Sequence, residues 1–275
     1  MTPYQIYLGD NVNSLQTHVP DCHVDLTVTS PPYDNLRDYK GDTWDFDALL
    51  TELHRVTKPG GVVMWNVADQ TVKGSETGTS FRQALAFIEA GWLLHDTMIY
   101  EKANFSNPST TRYHQVAEWM FVFSKGKPKT FNPIKDKPNA YYSPEGKPGT
   151  MGKNTVRNKD GTMKARKAVK VNTEFGMRGN VWRMKTAGQE NMCKSIAHPA
   201  KMPAAMARDH ILSWSNPGDV ILDPFGGSGT TGVEALKLGR KFIGIEVASD
   251  YYQIMEKALN DVVALNQIIS PAISP

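Results

Sequence analysis

The chain has little of what secreted, disulfide-bonded or membrane-spanning proteins depend on. It contains only two cysteines, Cys22 and Cys193, which lack metal-ligand spacing and do not indicate a disulfide framework. No apolar run approaches the roughly 18 residues of a membrane span. Residues 1–5 lack a basic region followed by a hydrophobic stretch, so no secretion signal is predicted. We therefore expect a cytoplasmic protein with two reduced thiols.

The net positive charge of the chain comes from one segment, and the rest of the chain has a net negative charge. The whole chain has 31 Lys and Arg against 28 Asp and Glu, a net charge of +3. Residues 125–170 contain 13 basic and three acidic residues (13 − 3 = +10), which leaves 3 − 10 = −7 for the rest. A charge run is usually a solvated surface. A segment that exceeds the whole positive balance of its protein favours contact with a polyanion such as nucleic acid.

A proline-locked loop follows an early buried strand. The apolar run Val24–Val28 precedes Thr-Ser-Pro-Pro-Tyr-Asp at 29–34. Two consecutive prolines fix φ and remove two N–H donors, so the loop holds one shape. Ser30 and a proline carbonyl can accept hydrogen bonds from an amino group, and Tyr33 can stack on a flat ring. By itself the loop is equally typical of a plain strand-terminating turn.

A glycine-rich loop near the end of the chain is the second signature. Asp219–Asp223 predicts a buried strand, Pro224–Gly232 a loop, and Val233–Leu238 a helix that Gly239 ends. The next strand, Lys241–Glu246, ends in an acid. This unit of about 30 residues is typical of a nucleotide-binding crossover.

Two acidic residues at the ends of the flanking strands limit which ligand this loop could bind. Gly227–Gly232 matches G-x-G-x-x-G and is compatible with a dinucleotide, whereas no Gly-Lys-Ser/Thr forms a phosphate-binding loop. Asp223 at the strand tip would repel a pyrophosphate but attract an ammonium group. Glu246 is placed to accept hydrogen bonds from ribose hydroxyls. S-adenosyl-L-methionine, with an ammonium, a sulfonium and a ribose, fits both.

The two signatures together resemble those of a known family. Asp-Pro-Phe-Gly-Gly-Ser-Gly-Thr-Thr at 223–231 is similar to the methyl-donor motif of DNA amino-methyltransferases, and Thr-Ser-Pro-Pro-Tyr at 29–33 to their catalytic motif. The catalytic motif comes first, as in the circularly permuted β class. Leu8–Asn11, Lys58–Gly61 and His198-Pro199 agree with the same resemblance, which covers nearly the whole chain outside its middle.

The resemblance and the residues together predict three groups of site residues and no metal. The catalytic group is Ser30, Pro31, Pro32 and Tyr33. The cofactor group is Asp10, Asp223, Pro224, Phe225, Gly227, Gly229, Thr230 and Glu246, in which Asp10 is placed near the cofactor adenine by resemblance alone. The DNA-binding group is Lys153, Arg157, Lys164, Arg166 and Lys167.

The predicted reaction is methyl transfer from S-adenosylmethionine to a base that has flipped out of double-stranded DNA. In the family a serine at the first motif position usually accompanies cytosine N4 and an aspartate adenine N6, so Ser30 favours cytosine. Adenine N6 remains the alternative, and an RNA or protein-amide methyltransferase or a non-enzymatic DNA-binding protein is a more distant one. The expected partner is double-stranded DNA; the sequence leaves open whether the chain acts as a monomer or a homodimer and whether it has a cognate restriction endonuclease.

The alternation of strands and helices predicts one doubly wound, mostly parallel sheet, the Rossmann-like methyltransferase fold. We expect a catalytic half over 1–125, a basic, irregular target-recognition segment over 126–190, and a cofactor-binding half over 191–275. Helices are predicted at about 45–57, 79–90, 199–214 and 249–265. The proline and glycine loops should meet at the carboxyl edge of the sheet.

Overall fold

The secondary structure is known for most of the chain. A computed structural model describes residues 2–33, 44–104, 108–140, 142, 155–165, 173–186 and 202–269. Contacts divide the chain into a larger unit, Met1–Asn132 with Asn180–Pro275, and a smaller unit, Pro133–Gly179. The smaller unit falls within the interval predicted for target recognition.

The elements follow one another in this order: β1 (Tyr4–Leu8), α1 (Asn11–His18), β2 (Val24–Thr29), α2 (Phe46–Val56), β3 (Thr57–Val67), β4 (Thr71–Val72), β5 (Ser75–Glu76), α3 (Thr79–Glu89), β6 (Leu93–Lys102), β7 (Ala117–Ser124), β8 (Lys135–Pro138), β9 (Thr155–Arg157), β10 (Met163–Ala165), β11 (Phe175–Met177), β12 (Val181–Met184), α4 (Ala204–Trp214), β13 (Val220–Asp223), α5 (Thr230–Lys237), β14 (Lys241–Glu246) and α6 (Ser249–Ile269). In the described ranges no helix is long and apolar enough to cross a membrane.

The larger unit is built on one eight-stranded sheet in the order β1-β14-β13-β2-β3-β7-β6-β12. Its neighbouring strands are parallel except where β7 pairs with β3 and with β6. The predicted fold class, a mostly parallel doubly wound sheet, is confirmed. The N-terminal strand β2 and the C-terminal strand β13 are direct neighbours at the centre of this sheet.

The sheet is buried on both faces by helices. Along β3, Val63, Trp65 and Val67 join a core with Leu53 of α2 and Phe87 of α3. The residues between them point to the opposite face, because successive side chains of a strand alternate. They are buried as well, and α5 contacts both α4 and α6 in the second helical layer. Burial on both faces explains why these strands appear in the sequence as continuous apolar runs.

Several elements differ from their predicted form. Helix α1 was not predicted, although Asp10 caps it by accepting a hydrogen bond of 2.9 Å from the Asn13 amide. Helix α4 begins at Ala204, later than the predicted position 199. The basic segment is not wholly irregular, since it contains short strands. Strand β12 at its far end joins the main sheet beside β6, where Trp182 is buried.

In the residues that the structure describes, the smaller unit contains two short antiparallel pairs of strands. Strand β8 pairs with β11, and β9 pairs with β10 to form a ribbon, residues 155–165. Arg157 lies opposite Met163 and Lys164 lies opposite Val156 in this ribbon. All residues of the ribbon are exposed. Because side chains alternate along a strand, Arg157 and Lys164 extend from opposite faces of the ribbon.

Candidate active site

The proline loop and the glycine loop meet at the carboxyl edge of the sheet. Strand β2 ends at Thr29 and its neighbour β13 ends at Asp223, so the two loops leave the sheet side by side. The Thr29 hydroxyl donates a buried hydrogen bond of 2.7 Å to Asp223 Oδ1. This bond joins the two sequence signatures across 194 residues of chain.

Asp223 is almost fully buried, with 5% of its surface exposed. Its Oδ1 also accepts a 3.1 Å hydrogen bond from the Phe225 amide. Burial raises the pKa of Asp223 to about 6, while hydrogen bonds from Thr29, Thr231 and the Phe225 amide oppose the increase and the charge of Glu246 adds to it. The carboxyl group therefore changes protonation close to physiological pH.

The glycines of the loop are required by helix packing. A Cβ on Gly226 would lie 2.7 Å from Met255 Sδ of α6. Gly229 has φ +82°, and its Cβ would lie 3.2 Å from Met255 Cα. A side chain at Gly226 would therefore have to displace the Met255 side chain, and one at Gly229 would be strained by the positive φ and crowd the backbone of α6. Gly227, which has φ +52°, lies between them.

Three further predicted cofactor residues lie in the same segment as these glycines. Pro224 is buried and Thr230 is the first residue of α5. The ring of Phe225 is half-buried and packs edge-on against Trp44, with ring centroids 5.1 Å apart. Trp44 was not among the predicted residues. The two rings form an aromatic wall on the side of the glycine loop that packs against the core.

Glu246 ends β14 and holds the backbone of the glycine loop. Its Oε2 accepts a 2.7 Å hydrogen bond from the Gly227 amide, and its Oε1 accepts a 2.9 Å bond from the Ala248 amide. Both carboxylate oxygens of Glu246 therefore face backbone amides beside the glycine loop. Asp10, the N-cap of α1, lies nearby, because the amide of the preceding Gly9 donates to the Glu246 carbonyl oxygen at 2.9 Å.

These residues fit S-adenosylmethionine. The buried Asp223 carboxyl group and the Glu246 carboxylate are at the ends of neighbouring strands β13 and β14, one on each side of the glycine loop. A donor with a cationic amino acid end and a ribose requires acceptors at both ends. S-adenosylmethionine would supply an activated methyl group, with the sulfonium as the leaving group.

The proline loop holds its serine against its tyrosine. A hydrogen bond of 2.7 Å joins Ser30 Oγ and Tyr33 Oη. Pro31 is buried and Pro32 half-buried, and the Tyr33 ring packs against the main core. The half-buried Ser30 is therefore the polar tip of a loop with a fixed backbone.

Three polar residues behind Tyr33 were missed by the sequence prediction. Asn66 on β3 donates to Tyr33 Oη, and Glu118 on β7 accepts a 3.2 Å hydrogen bond from the same phenol. Lys102 at the end of β6 forms a 3.1 Å ion pair with Glu118. Asn66 follows the apolar run of β3 near the carboxyl end of that strand. Ligands bind at this edge of parallel sheets, so the position of Asn66 in the sequence could have predicted it.

The predicted DNA-binding residues are only partly within the described chain. Arg157 and Lys164 lie on the exposed ribbon of the smaller unit. Lys153, Arg166 and Lys167 lie outside the described residues, as do Asp34 and His198-Pro199. Within the described ranges, no cluster of three or more His, Cys, Asp or Glu side chains could hold a metal ion.

A parallel α/β sheet with a serine–proline loop and a glycine loop side by side at its carboxyl edge defines a methyltransferase-type protein. The chain belongs to the DNA methylase family, which matches residues 24–257. It is thus a DNA methyltransferase, and S-adenosylmethionine, the predicted cofactor, is the methyl donor of that family.

Named relatives and solved structures agree with this membership. The chain is 49% identical over 255 residues to the orphan methyltransferase M.BamHII of Bacillus amyloliquefaciens, covering 92% of this chain and 95% of the relative. It is 28% identical to the type II methyltransferase M.SmaI of Serratia marcescens, covering 93% and 90%. The structure of the PvuII cytosine-N4-specific DNA methyltransferase aligns with a TM-score of 0.67 at 19% identity, covering 96% and 91%.

Proposed function

We propose that this protein transfers a methyl group from S-adenosylmethionine to N4 of a cytosine flipped out of a specific site in double-stranded DNA. The observation that carries the proposal is the hydrogen-bonded junction of the two loops. Thr29, which bonds Asp223 of the glycine loop at 2.7 Å, directly precedes Ser30 of the proline loop. The methyl donor and the acceptor amine would thus be held by adjacent strand ends.

The Ser30 hydroxyl is the proposed acceptor for one hydrogen of the target amine, and the Pro31 carbonyl for the other. The nitrogen lone pair of cytosine is delocalised into the ring. Accepting hydrogen bonds from both amine hydrogens moves that nitrogen toward sp³ geometry and restores its nucleophilicity. The Tyr33 ring is the proposed stacking surface for the base. Orientation of this kind can lower a barrier by roughly 7–11 kcal/mol.

On the cofactor side, we assign the Asp223 carboxylate to the ammonium group and the Glu246 carboxylate to the ribose hydroxyls. Asp10, exposed beside the Glu246 backbone, is assigned to the adenine amino group. Pro224, Phe225, Gly227, Gly229 and Thr230 shape the backbone around the donor. The buried acid would remain charged at neutral pH, because its pKa of about 6 lies below 7.

Nucleoside analysis tests the choice of base. DNA is incubated with the protein and labelled S-adenosylmethionine, digested, and analysed by mass spectrometry. N4-methylcytosine is the expected product. N6-methyladenine would retain the enzyme and replace the base assignment. The absence of any methylated nucleoside from DNA carrying many sequences would contradict the proposed reaction.

The exposed ribbon 155–165 is the proposed contact with DNA. A two-stranded ribbon fits the major groove of B-DNA, and Arg157 and Lys164 on its opposite faces would reach phosphates on both sides of the groove. Replacing both residues by glutamine should weaken DNA binding. The slope of log K against log salt should decrease by about 0.9 for each lost phosphate contact. Fluorescence anisotropy at several salt concentrations measures both quantities.

Removal of the same charge elsewhere is the control for that prediction. Lys241 and Lys257 are exposed on β14 and α6 of the larger unit, and their double glutamine variant also loses two positive charges. We expect its salt slope to stay close to that of the wild type. Equal slopes for both double variants would mean that the ribbon is a solvated surface.

The relatives with type II and orphan names favour a role in DNA modification, in the cytoplasm, with or without a nuclease. A cognate restriction endonuclease and a homodimer stay predictions from the sequence.

A further inference from the structure

A connected set of five polar side chains, which we call the Tyr33 network, lies behind the proposed reaction centre. Its members are Ser30 and Tyr33 of the proline loop, Asn66 of β3, Glu118 of β7 and Lys102 of β6. Three of them stand on neighbouring strands of the sheet. The loop that carries Ser30 is therefore tied to three strands of the central sheet.

Glu118 determines the direction of every hydrogen bond in this network. An ionised carboxylate only accepts hydrogen bonds, so each polar group that faces it must donate. Lys102 Nζ lies 3.1 Å from Oε1 and supplies the opposite charge. Oε2 accepts from Asn66 Nδ2 at 2.9 Å and from Tyr33 Oη at 3.2 Å. The same requirement fixes the orientation of the Asn66 amide, because its oxygen would face the carboxylate if the amide were flipped.

The consequence reaches Ser30 through Tyr33. A phenol has one hydrogen, and the Tyr33 hydroxyl uses it toward Glu118. Toward Ser30, 2.7 Å away, the phenol oxygen must therefore accept. The serine hydrogen then points at Tyr33, and the lone pairs of Ser30 Oγ are left for another donor.

We propose that Glu118, with Lys102 as its counter-charge, is a positioning residue that makes Ser30 an obligate hydrogen-bond acceptor toward the target amine. The inference rests on the proposed function in one respect, the role of Ser30 as acceptor. It adds that the direction of the serine hydroxyl is set through Tyr33 by the charge of Glu118, which never touches the base. It holds equally for cytosine N4 and adenine N6, because both amines present two hydrogens.

The competing role for Glu118 is simply to join β7 to β6. A neighbouring ion pair of that kind exists, since Glu101 lies 3.7 Å from Arg183 with side-chain exposures of 36% and 70%. That pair makes no contact with the proline loop among the described residues. Glu101→Gln is therefore a matched control for Glu118→Gln, because it removes the same charge from the same sheet.

The test is single-turnover and steady-state methylation by the full-length protein and its variants. A glutamine at 118 keeps the size of the side chain but can turn an N–H toward Tyr33. That N–H would reverse the bonds and let the serine hydrogen face the amine. We expect Glu118→Gln to lower kcat about tenfold, with KM for DNA and the Kd of S-adenosylmethionine changed by less than about twofold. Glu101→Gln should keep wild-type kcat.

A double-mutant cycle with Tyr33→Phe separates the proposed role from a structural one. Glu118 acts through the phenol, so in the Tyr33→Phe background the Glu118→Gln change should have no further effect on kcat. Independent, multiplicative losses would overturn the inference, and so would wild-type kcat in Glu118→Gln. The activity of the wild type tests the proposed function separately. If the wild type methylates no DNA, the proposed function is wrong, and this inference is wrong with it.

Discussion

Replacing Ser30 by alanine should lower kcat about 10²-fold, the usual cost of removing one hydrogen bond made to a reacting group in the transition state. Binding of S-adenosylmethionine should change by less than about twofold, because Thr29 and not Ser30 bonds the glycine loop. DNA affinity should also be retained, since the basic ribbon is unaltered. Rapid-quench methylation assays and calorimetric titration of the cofactor measure the two effects separately.

The serine variant has a simple control in the same chain. Ser75 is exposed on β5 and its hydroxyl donates only to the carbonyl of the adjacent Glu76 among the described residues. Ser75→Ala should therefore keep wild-type kcat. Equal losses of kcat and cofactor affinity in Ser30→Ala would show that the loop has been distorted, and the acceptor role would then be wrong.

The affinity for S-adenosylmethionine should fall as the pH is lowered through about 6. Burial raises the pKa of Asp223 to about 6, so below that pH the carboxyl group takes up a proton. An ammonium ligand binds the charged form, and the proton must leave when it binds. The Kd should therefore increase by up to about tenfold for each pH unit below the pKa. Titrations of the cofactor between pH 5 and 8 measure this dependence.

Asp223→Asn keeps the shape of the side chain and removes its charge. We expect its Kd for S-adenosylmethionine at pH 7.5 to be about 10-fold or more above that of the wild type, as for other hydrogen bonds to charged groups. Its Kd should also be nearly independent of pH in this range. Urea unfolding of both proteins checks that the loop is intact. Unchanged affinity in a stable Asp223→Asn variant would show that this carboxylate only holds the loop through Thr29 and Phe225.

The fold was predictable from sequence wherever a strand is buried on both faces. Strands β13 and β14 appear as nearly continuous apolar runs, and α5 lies between a glycine loop and Gly239, whose φ of +74° ends the helix. Helix α1 was missed because few of its residues are apolar, although Asp10 is a typical N-cap. Strand β12 was missed because it has only four residues and lies in a segment rich in basic residues.

Only those residues of the candidate site that lie in or beside a sequence motif could be predicted. Ser30, Tyr33, Asp223 and Glu246 each stand at a strand end next to a recognisable loop. Asn66, Glu118 and Lys102 become neighbours only through the antiparallel pairing of β7 with β3 and β6. No spacing in the sequence reveals that pairing, because β7 is the one strand of the eight-stranded sheet that reverses direction.

The adjacency of β2 and β13 also determines when this protein can become active during its synthesis. Strand β2, which leads into the proline loop, is made early, but its neighbour β13 at the centre of the sheet starts at Val220. Until the ribosome has released that part, one edge of β2 has no partner, and an unpaired apolar edge invites aggregation. A nascent chain therefore has the proline loop long before it has the glycine loop. Chains interrupted before β13 would need protection by chaperones. They could not methylate DNA, because they would lack the glycine loop.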